Sequence, residues 1–590
     1  MLFIVEKHPF RLAVLTGVLL ALSVPPVPLA FFSLGAFVPL LWVLLNIQKP
    51  IVEPKLWRTF RLIRQNFFKI ITLAGLRKKN LPAQPDKLRY ISVTTQLFFY
   101  SYFSFFIWNL IGCYWLVLTA LSAKNFSEGI ISALAGVAAV ILNPLVMTIP
   151  ILIWGLVRRF IRNQILALWF LLPLWICFEY LHFRWDLTWP WLTLGNMFSM
   201  FPDYVQYYEF TGVLGGSTLI WISNLLIVQF MLAFDAYTSR QIYFRVASLL
   251  ILWLLPFLLN IWILNDNRDV FKPNGYLNVR VVQPNIDPYQ KFQVLTSEQQ
   301  IERLCSLTTL HSLADIDLVV WPETAIPEGI LREQFMTTPL LAPVRKIIEQ
   351  NPHISLVTGF VEYHIFRPQG TPPVSARPYS NNLYLELYNS AGILNGRGNV
   401  FTYQKAKLVP LVERMPFLEF FTFLKTYHID LGGNFGNCGY PDSLFCLRTF
   451  TGIPVAFWIC YESVFGDHAR KFAQNDAQLA CIITNDGWWK QSSGYIQHRH
   501  HSSLRAIETR RCIARSANTG TSLFTNNRGD ISQMTSYDSQ AVIDSKLMLY
   551  QTKTFYTRTG DWLGILATSL CVLGLVSTVL FHLLIPKKST

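Results

Sequence analysis

Charge is scarce in this sequence, and the shortage is uneven. Only 14% of the 590 residues are Asp, Glu, Lys or Arg, while 52% are hydrophobic; soluble domains carry about a quarter charged residues. That balance excludes a wholly soluble chain. Cysteine is rare as well, with nine in total, too few for a disulfide scaffold. Cys113, Cys177 and Cys571 fall in apolar runs and read as packing residues. Cys438 and Cys446 flank a Gly-Tyr-Pro-Asp turn, where a disulfide is conceivable. Acids are fewer than bases, and the net charge of +15 invites a nucleic-acid reading. The distribution argues against it: eleven Lys/Arg crowd into 47–92 against only Glu53 and Asp86, between hydrophobic runs. That is the pattern of a cytoplasmic loop of a membrane protein, so no nucleic-acid partner is expected.

What the chain has instead is long apolar runs. Eight stretches approach the roughly 20 residues that cross a bilayer, near 10–23, 28–46, 93–119, 129–156, 164–181, 209–234, 244–264 and 562–585. Val24-Pro-Pro-Val-Pro divides the first run into a tight hairpin. Lys7 and Arg11 ahead of an apolar run also fit a secretory leader, but no A-x-A-like site follows, and the segment is expected to be retained. Basic residues gather in 47–92, Arg158-Arg159-Phe-Ile-Arg162, around Arg240 and Arg245, and at Lys587-Lys588; 120–128 and 182–208 hold only Lys124 and Arg184. The asymmetry predicts cytoplasmic termini and a far-side location for 277–545.

Leu56, Phe60, Ile63, Phe67, Ile70 and Ile71 are spaced for an amphipathic helix on an anionic leaflet. Trp185, Trp189 and Trp191 read as an interfacial aromatic belt in preference to the lining of a lipid entry cleft. Glu179, near the end of the fifth run, needs a partner in hydrocarbon, and Arg184 is the expected one.

Residues 277–545 look like an ordinary polar domain. Apolar strands are expected at 278–286, 317–321, 354–363, 381–388, 400–409, 454–460 and 479–485, with helices near 296–313, 340–350 and 496–511. The alternation predicts a layered α/β domain. Three strands end on chemically useful groups: Glu323 in Val319-Val-Trp-Pro-Glu, Lys405 in Tyr403-Gln-Lys-Ala-Lys, and Cys460 in Phe457-Trp-Ile-Cys-Tyr-Glu. Each alone is as well explained by a turn, a solvated strand end or a core thiol. Together they supply a base, a cation and a nucleophile for acyl transfer through a thioester.

Glu323, Lys405 and Cys460, in this order and these local motifs, resemble the nitrilase superfamily. The flanking membrane runs narrow the resemblance to the bacterial apolipoprotein N-acyltransferase family. Trp321-Pro-Glu-Thr-Ala-Ile-Pro, Tyr403-x-Lys-x-x-Leu-Val-Pro-x-x-Glu413, Ile459-Cys-Tyr-Glu, Asn485-Asp-Gly-Trp and Trp189-Pro-Trp-Leu carry it. So does Gln497-His498 leading to Arg515-Ser-Ala-Asn518. The chain departs from the pattern at Leu411-Val412, at Phe292 and at Trp488-Trp489-Lys490.

The resemblance implies a multi-pass membrane domain at 1–265, an αββα nitrilase-like domain at 277–545 on the periplasmic side, and a last span at 562–586. It implies an inner-membrane enzyme, a phospholipid acyl donor, a diacylglyceryl apolipoprotein acceptor, a monomer, and no cofactor. Glu323, Lys405 and Cys460 would be catalytic. Glu413 and Glu462 would orient the lysine and nearby loops, Tyr461 would shape the pocket, and Phe292, Trp191 and Trp488 would touch substrate. Lys405 would also depress the Cys460 pKa.

His498, His500 and His501 lack metal-ligand spacing, so no metal is expected. Two rival readings use the same residues: a membrane-tethered amidase or nitrilase in which water replaces the amine, and a transport or structural membrane protein with an inert domain.

Overall fold

The computed structural model describes residues 8–47, 49, 51–52, 90–118, 126–161, 163–264, 268–288, 291, 295–397, 401–421, 436–441 and 443–584. The amphipathic stretch at 56–71 and the candidate contact Phe292 lie outside the described residues.

Among the described residues, five helices are long and apolar enough to cross a membrane. In chain order with their neighbours, the helices are α1 (Pro9–Leu22), α2 (Ala30–Asn46), α3 (Val93–Gly112), α4 (Phe126–Val157), α5 (Gln164–His182), α6 (Val213–Leu232) and α7 (Ser239–Ile263). The five are the Ser132–Val157 part of α4, α5, α6, α7 and Trp562–Leu580 near the chain's end. Helices α1 and α2 are apolar but short. Thr, Gln, Ser and Asn side chains dilute α3, which Ser92 caps by accepting from Thr95 N. Each of the eight expected runs therefore holds helix, and five of them have the length and hydropathy of a span. Their packed core includes Phe37, Trp108, Ile151, Trp175 and Trp221. Outward faces stay apolar, as at Ile251, Ile261 and Leu573, which is the surface a lipid phase would cover.

The polar domain holds two sheets. Its strands are β1 (Tyr276–Gln283), β2 (Leu318–Val320), β3 (Ile326–Leu331), β4 (Ser355–Phe366), β5 (Arg377–Ser380), β6 (Leu383–Asn395) and β7 (Phe401–Gln404) in one sheet with the last strand, and β8 (Leu447–Arg448), β9 (Pro454–Ile459), β10 (Leu479–Thr484), β11 (Cys512–Ala517), β12 (Leu523–Thr525) and β13 (Ile531–Ser532) in the other. The last strand is β14 (Ala541–Met548), antiparallel to β1. The first sheet runs β14-β1-β2-β4-β6-β5, with β3 paired to β4 and β7 to β6.

Strand alternation sets the layers. Val279 and Val281 of β1 face a core shared with Phe457, Ile459 and Ile483 of the second sheet. Val282 and Val319 face away, towards α8 (Ser297–Thr308) and α9 (Ala342–Gln350) through Ile301, Leu304 and Val344. Helices α10 (Gly466–Gln474) and α11 (Ser493–Thr509) cover the second sheet through Ala469, Phe472 and Ala506. The result is helix, sheet, sheet, helix. Helix α8 starts on a Thr296–Gln299 capping box, and α11 stops where Arg510 turns left-handed.

Helix α11 also joins the two halves of the molecule. Leu504 and Ile507 belong to the membrane core. Just past its end, Arg510 Nε donates to Glu209 Oε2 at 2.7 Å, with both groups buried.

One expectation fails here, and the open pairing of Cys438 with Cys446 is answered. Glu179 does not pair with Arg184: Trp175 Nε1 and Leu194 N donate to Glu179 Oε1 at 3.0 Å each, whereas Arg184 reaches Asp561 at 2.7 Å. Glu179 points into the bundle, while Arg184 lies past the helix end, where the chain can swing out. Cys438 and Cys446 are free thiols, Cys438 directed at Gly436 O and Cys446 at Phe472 O and Asn475 O.

Candidate active site

The three strand-end residues line one cavity of about 330 Å³. Glu323 follows β2, Lys405 follows β7, and Cys460 follows β9, so both sheets contribute. Lys405 is fixed first by backbone pairing, its N–H donating to Asn389 O at 2.8 Å. Its side chain is buried, with Nζ 2.8 Å from Glu413 Oε1 and 3.3 Å from Glu323 Oε1. Asn389 Nδ2 donates to both carboxylates at 2.9 Å. The donors to Glu323 converge on Oε1, leaving Oε2 to take a proton.

Cys460 takes φ +51°, unusual for a residue with a side chain. Such strain costs about 1–3 kcal/mol and persists only where neighbours over-determine it. Here Ser463 Oγ donates to Cys460 O at 2.7 Å, and His498 Nε2 lies 3.1 Å from the same oxygen. Glu462 Oε2 accepts from Ile459 N at 2.8 Å. The other oxygen of Glu462 accepts from Tyr403 Oη and Ala406 N at 2.7 Å each. Glu462 thus ties the cysteine strand to the lysine strand through backbone N–H groups, with no bond to the Lys405 amine. Glu413 is the residue that holds the lysine.

Burial disfavours the Lys405 ammonium, but Glu413 and Glu323 more than compensate, and its pKa rises well above the usual value. The expected depression of the Cys460 pKa does not hold. Burial pushes the thiol up, Glu323 adds to the rise, and Lys405 opposes them only in part. With its pKa raised above the ordinary value, the Cys460 side chain rests as a neutral thiol.

The tryptophans divide. Trp488 lines the cavity with Trp489, Trp189 and Trp185. Trp191 does not reach it: its Nε1 donates to Gln497 Oε1 at 2.7 Å, and its buried ring stacks on Tyr461 and His498. The belt reading therefore fails for Trp191, which packs under the site, and Trp185 and Trp189 face the cleft that reading had set aside. Tyr461 Oη donates to Thr188 O at 2.9 Å, anchoring the neighbour of Cys460 to the 182–208 segment.

Asn389 and Lys291 also line the cavity, and sequence reasoning missed both. Asn389 sits mid-strand with no local signal, and Lys291 lies in a loop directly before Phe292, where attention went to the aromatic residue and not to the lysine beside it.

The cavity continues past the triad along one face of α4: Ser132, Ala135, Gly136, Ala139, Leu142 and Val146 line it. Leu142 and Leu187 are lining residues that are also exposed on the outer surface, Leu142 by 55%. A buried thiol, carboxylate and ammonium thus share a space with one face of an apolar helix.

Two stacked sheets with a Glu, a Lys and a Cys at their strand ends define a nitrilase-type domain, and the family model described as carbon-nitrogen hydrolase matches residues 278–554. The model described as apolipoprotein N-acyltransferase N-terminal domain matches residues 88–226. The chain is 30% identical over 492 residues to the apolipoprotein N-acyltransferase of Chlorobaculum tepidum, covering 81% of this chain and 87% of that protein. It is 26% identical over 567 residues to the protein of the same name from Geobacter metallireducens, covering 94% and 92%. The chain belongs to the apolipoprotein N-acyltransferase family. Among solved structures, an amidase from Nesterenkonia is 14% identical with a TM-score of 0.32, covering 49% of this chain and 94% of that one.

Proposed function

We propose that this chain is an inner-membrane acyltransferase that moves an acyl chain from a phospholipid to the α-amine of the S-diacylglyceryl cysteine of apolipoproteins, the last step of lipoprotein maturation. One observation carries the reading: the thiol cavity runs along an apolar face of α4 and is lined there by Leu142, a residue 55% exposed. A soluble amide would need no such tract.

Glu323 takes the Cys460 proton as the sulfur attacks the donor's ester carbonyl. The Lys405 ammonium holds the oxyanion that forms, a contribution of several kcal/mol in a site shielded from water. Collapse breaks the ester bond, and Glu323 returns the proton to the departing lysophospholipid alkoxide. The thioester is then attacked by the acceptor amine, whose proton passes to Glu323 and on to the released thiolate. Glu413 and Asn389 keep lysine and base in register. Trp488 lies where it would meet either substrate. Water must be kept out, because it would waste the thioester. No step calls for a metal or a cofactor.

In this reading the chain crosses the membrane eight times and acts as a monomer, with termini in the cytoplasm. The membrane domain is 1–265 and the last span 562–586, and the catalytic domain at 277–545 faces the periplasm. The clustering of Lys and Arg supports the orientation.

The test is to incubate purified protein in detergent with acyl-labelled phospholipid and map the label by mass spectrometry. Label is expected on Cys460, absent in Cys460→Ala, and discharged by a diacylglyceryl peptide amine faster than by water. Label elsewhere, or discharge by water alone, would reject the proposal, the latter in favour of a hydrolase.

A further inference from the structure

Lys291 is the second lysine of the cavity, and no step above uses it. Its side chain is buried, only 2% exposed. Its amino group donates to the carbonyl oxygen of Thr324 and, at 3.1 Å, to the Thr324 hydroxyl. Thr324 directly follows Glu323 and takes φ +46°. For a β-branched residue that conformation is an outlier that its surroundings must impose.

The contacts placed to impose it lie on two sides. On one, Gly359 N donates to Pro322 O at 3.1 Å, and the glycine lies so close to the turn that it has no room for a side chain. On the other stands Lys291, itself secured because its carbonyl accepts from Gln300 Nε2 of α8. A lysine amine is costly to bury, and this one is placed on the turn that carries the base.

We propose that Lys291 is a positioning residue for the general base, clamping the left-handed turn at Thr324 so that the Glu323 carboxylate stays within reach of the Cys460 thiol. The inference rests on the Glu323–Lys405–Cys460 reading. It assigns Lys291 no contact with substrate: its effect passes through Glu323, so removing it should matter only while Glu323 is present.

That dependence is what the experiment reads. Full-length protein in detergent is treated with iodoacetamide, and the alkylation rate of the Cys460 peptide is followed by mass spectrometry for wild type, Lys291→Met, Glu323→Gln and the double variant. Lys291→Met is expected to slow alkylation about tenfold. The double variant is expected to react no more slowly than Glu323→Gln alone. Multiplying losses in the double variant, or a wild-type rate in Lys291→Met while Glu323→Gln is slow, would overturn this inference and leave the triad standing. A wild-type rate in Glu323→Gln would overturn both. If Lys291→Met does not fold, Thr324→Val takes its place in the same cycle, since it deletes one partner of the clamp and keeps the lysine. It is expected to slow the reaction about threefold in the wild-type background and to add nothing to Glu323→Gln; equal losses in the two backgrounds would overturn the clamp.

Discussion

Lys405 donates to Glu413 across 2.8 Å, and both side chains are buried. The lysine is therefore held more closely by Glu413 than by Glu323, which in the proposed mechanism leaves Glu323 to exchange protons. Removing one partner of such a pair strands the other, at a cost of about 3–5 kcal/mol. Glu413→Ala should lower both the melting temperature and the rate of thioester formation. Lys405→Ala should cut thioester formation by about 10²–10³-fold. Lys407→Ala should leave it within about threefold, because the Lys407 amine lies over the Phe465 ring at 5.2 Å and outside the triad cavity. Intact-mass measurement of acylated protein distinguishes these outcomes.

Gly359→Ala tests the seat of the proposed base, Glu323. A Cβ there would fall 2.5 Å from Thr324 N and 2.7 Å from Glu323 Cα, both backbone atoms, so the turn must move. Displacing a base by about 1 Å costs on the order of 10²-fold. The expected result is a loss of that size in the acylation rate, measured by stopped-time labelling, in a protein that still purifies as a folded species.

Ala139→Phe tests the apolar tract. Ala139 lines the cavity from α4, whereas Glu323, Lys405 and Cys460 line it from the strand ends of the polar domain. Filling that space should lower turnover of long-chain phospholipids by about tenfold or more. Alkylation of Cys460 by a small reagent should stay close to the wild-type rate.

A stability titration tests the buried amine. Burial pulls Lys291 down to about 7, with Glu323 pulling the other way. Its unfolded pKa is about 10.4. Between those two values the unfolded chain binds the extra proton, so stability rises with pH across that window, and the penalty is complete below about 7. Wild type should gain melting temperature relative to Lys291→Met from pH 7 to pH 10. Parallel curves would contradict this.

The triad was legible because each member ends an apolar strand, so a polar residue at that point stands out against its own neighbours. The seven expected strands and three expected helices of the polar domain all fall on observed elements. Strand β11 escaped notice because it reads Cys-Ile-Ala-Arg-Ser-Ala, and Arg515 inside a fully buried strand looks like a loop residue. Only the tertiary fold supplies its partner, Asp486, at 2.6 Å. Asn389 and Lys291 were hidden for the same reason: their partners are 24 to 66 residues away in the chain. The Glu179–Arg184 expectation failed because nearness in sequence ignores which way a helix end points.

Leu142 touches both the outer surface of α4 and the space that holds the sulfur. An enzyme fed through such an opening meets its donor by sideways diffusion in two dimensions. Its saturation should follow the mole fraction of donor among neighbouring lipids rather than its amount per litre, so diluting the donor with inert lipid should slow turnover even when total lipid is held constant.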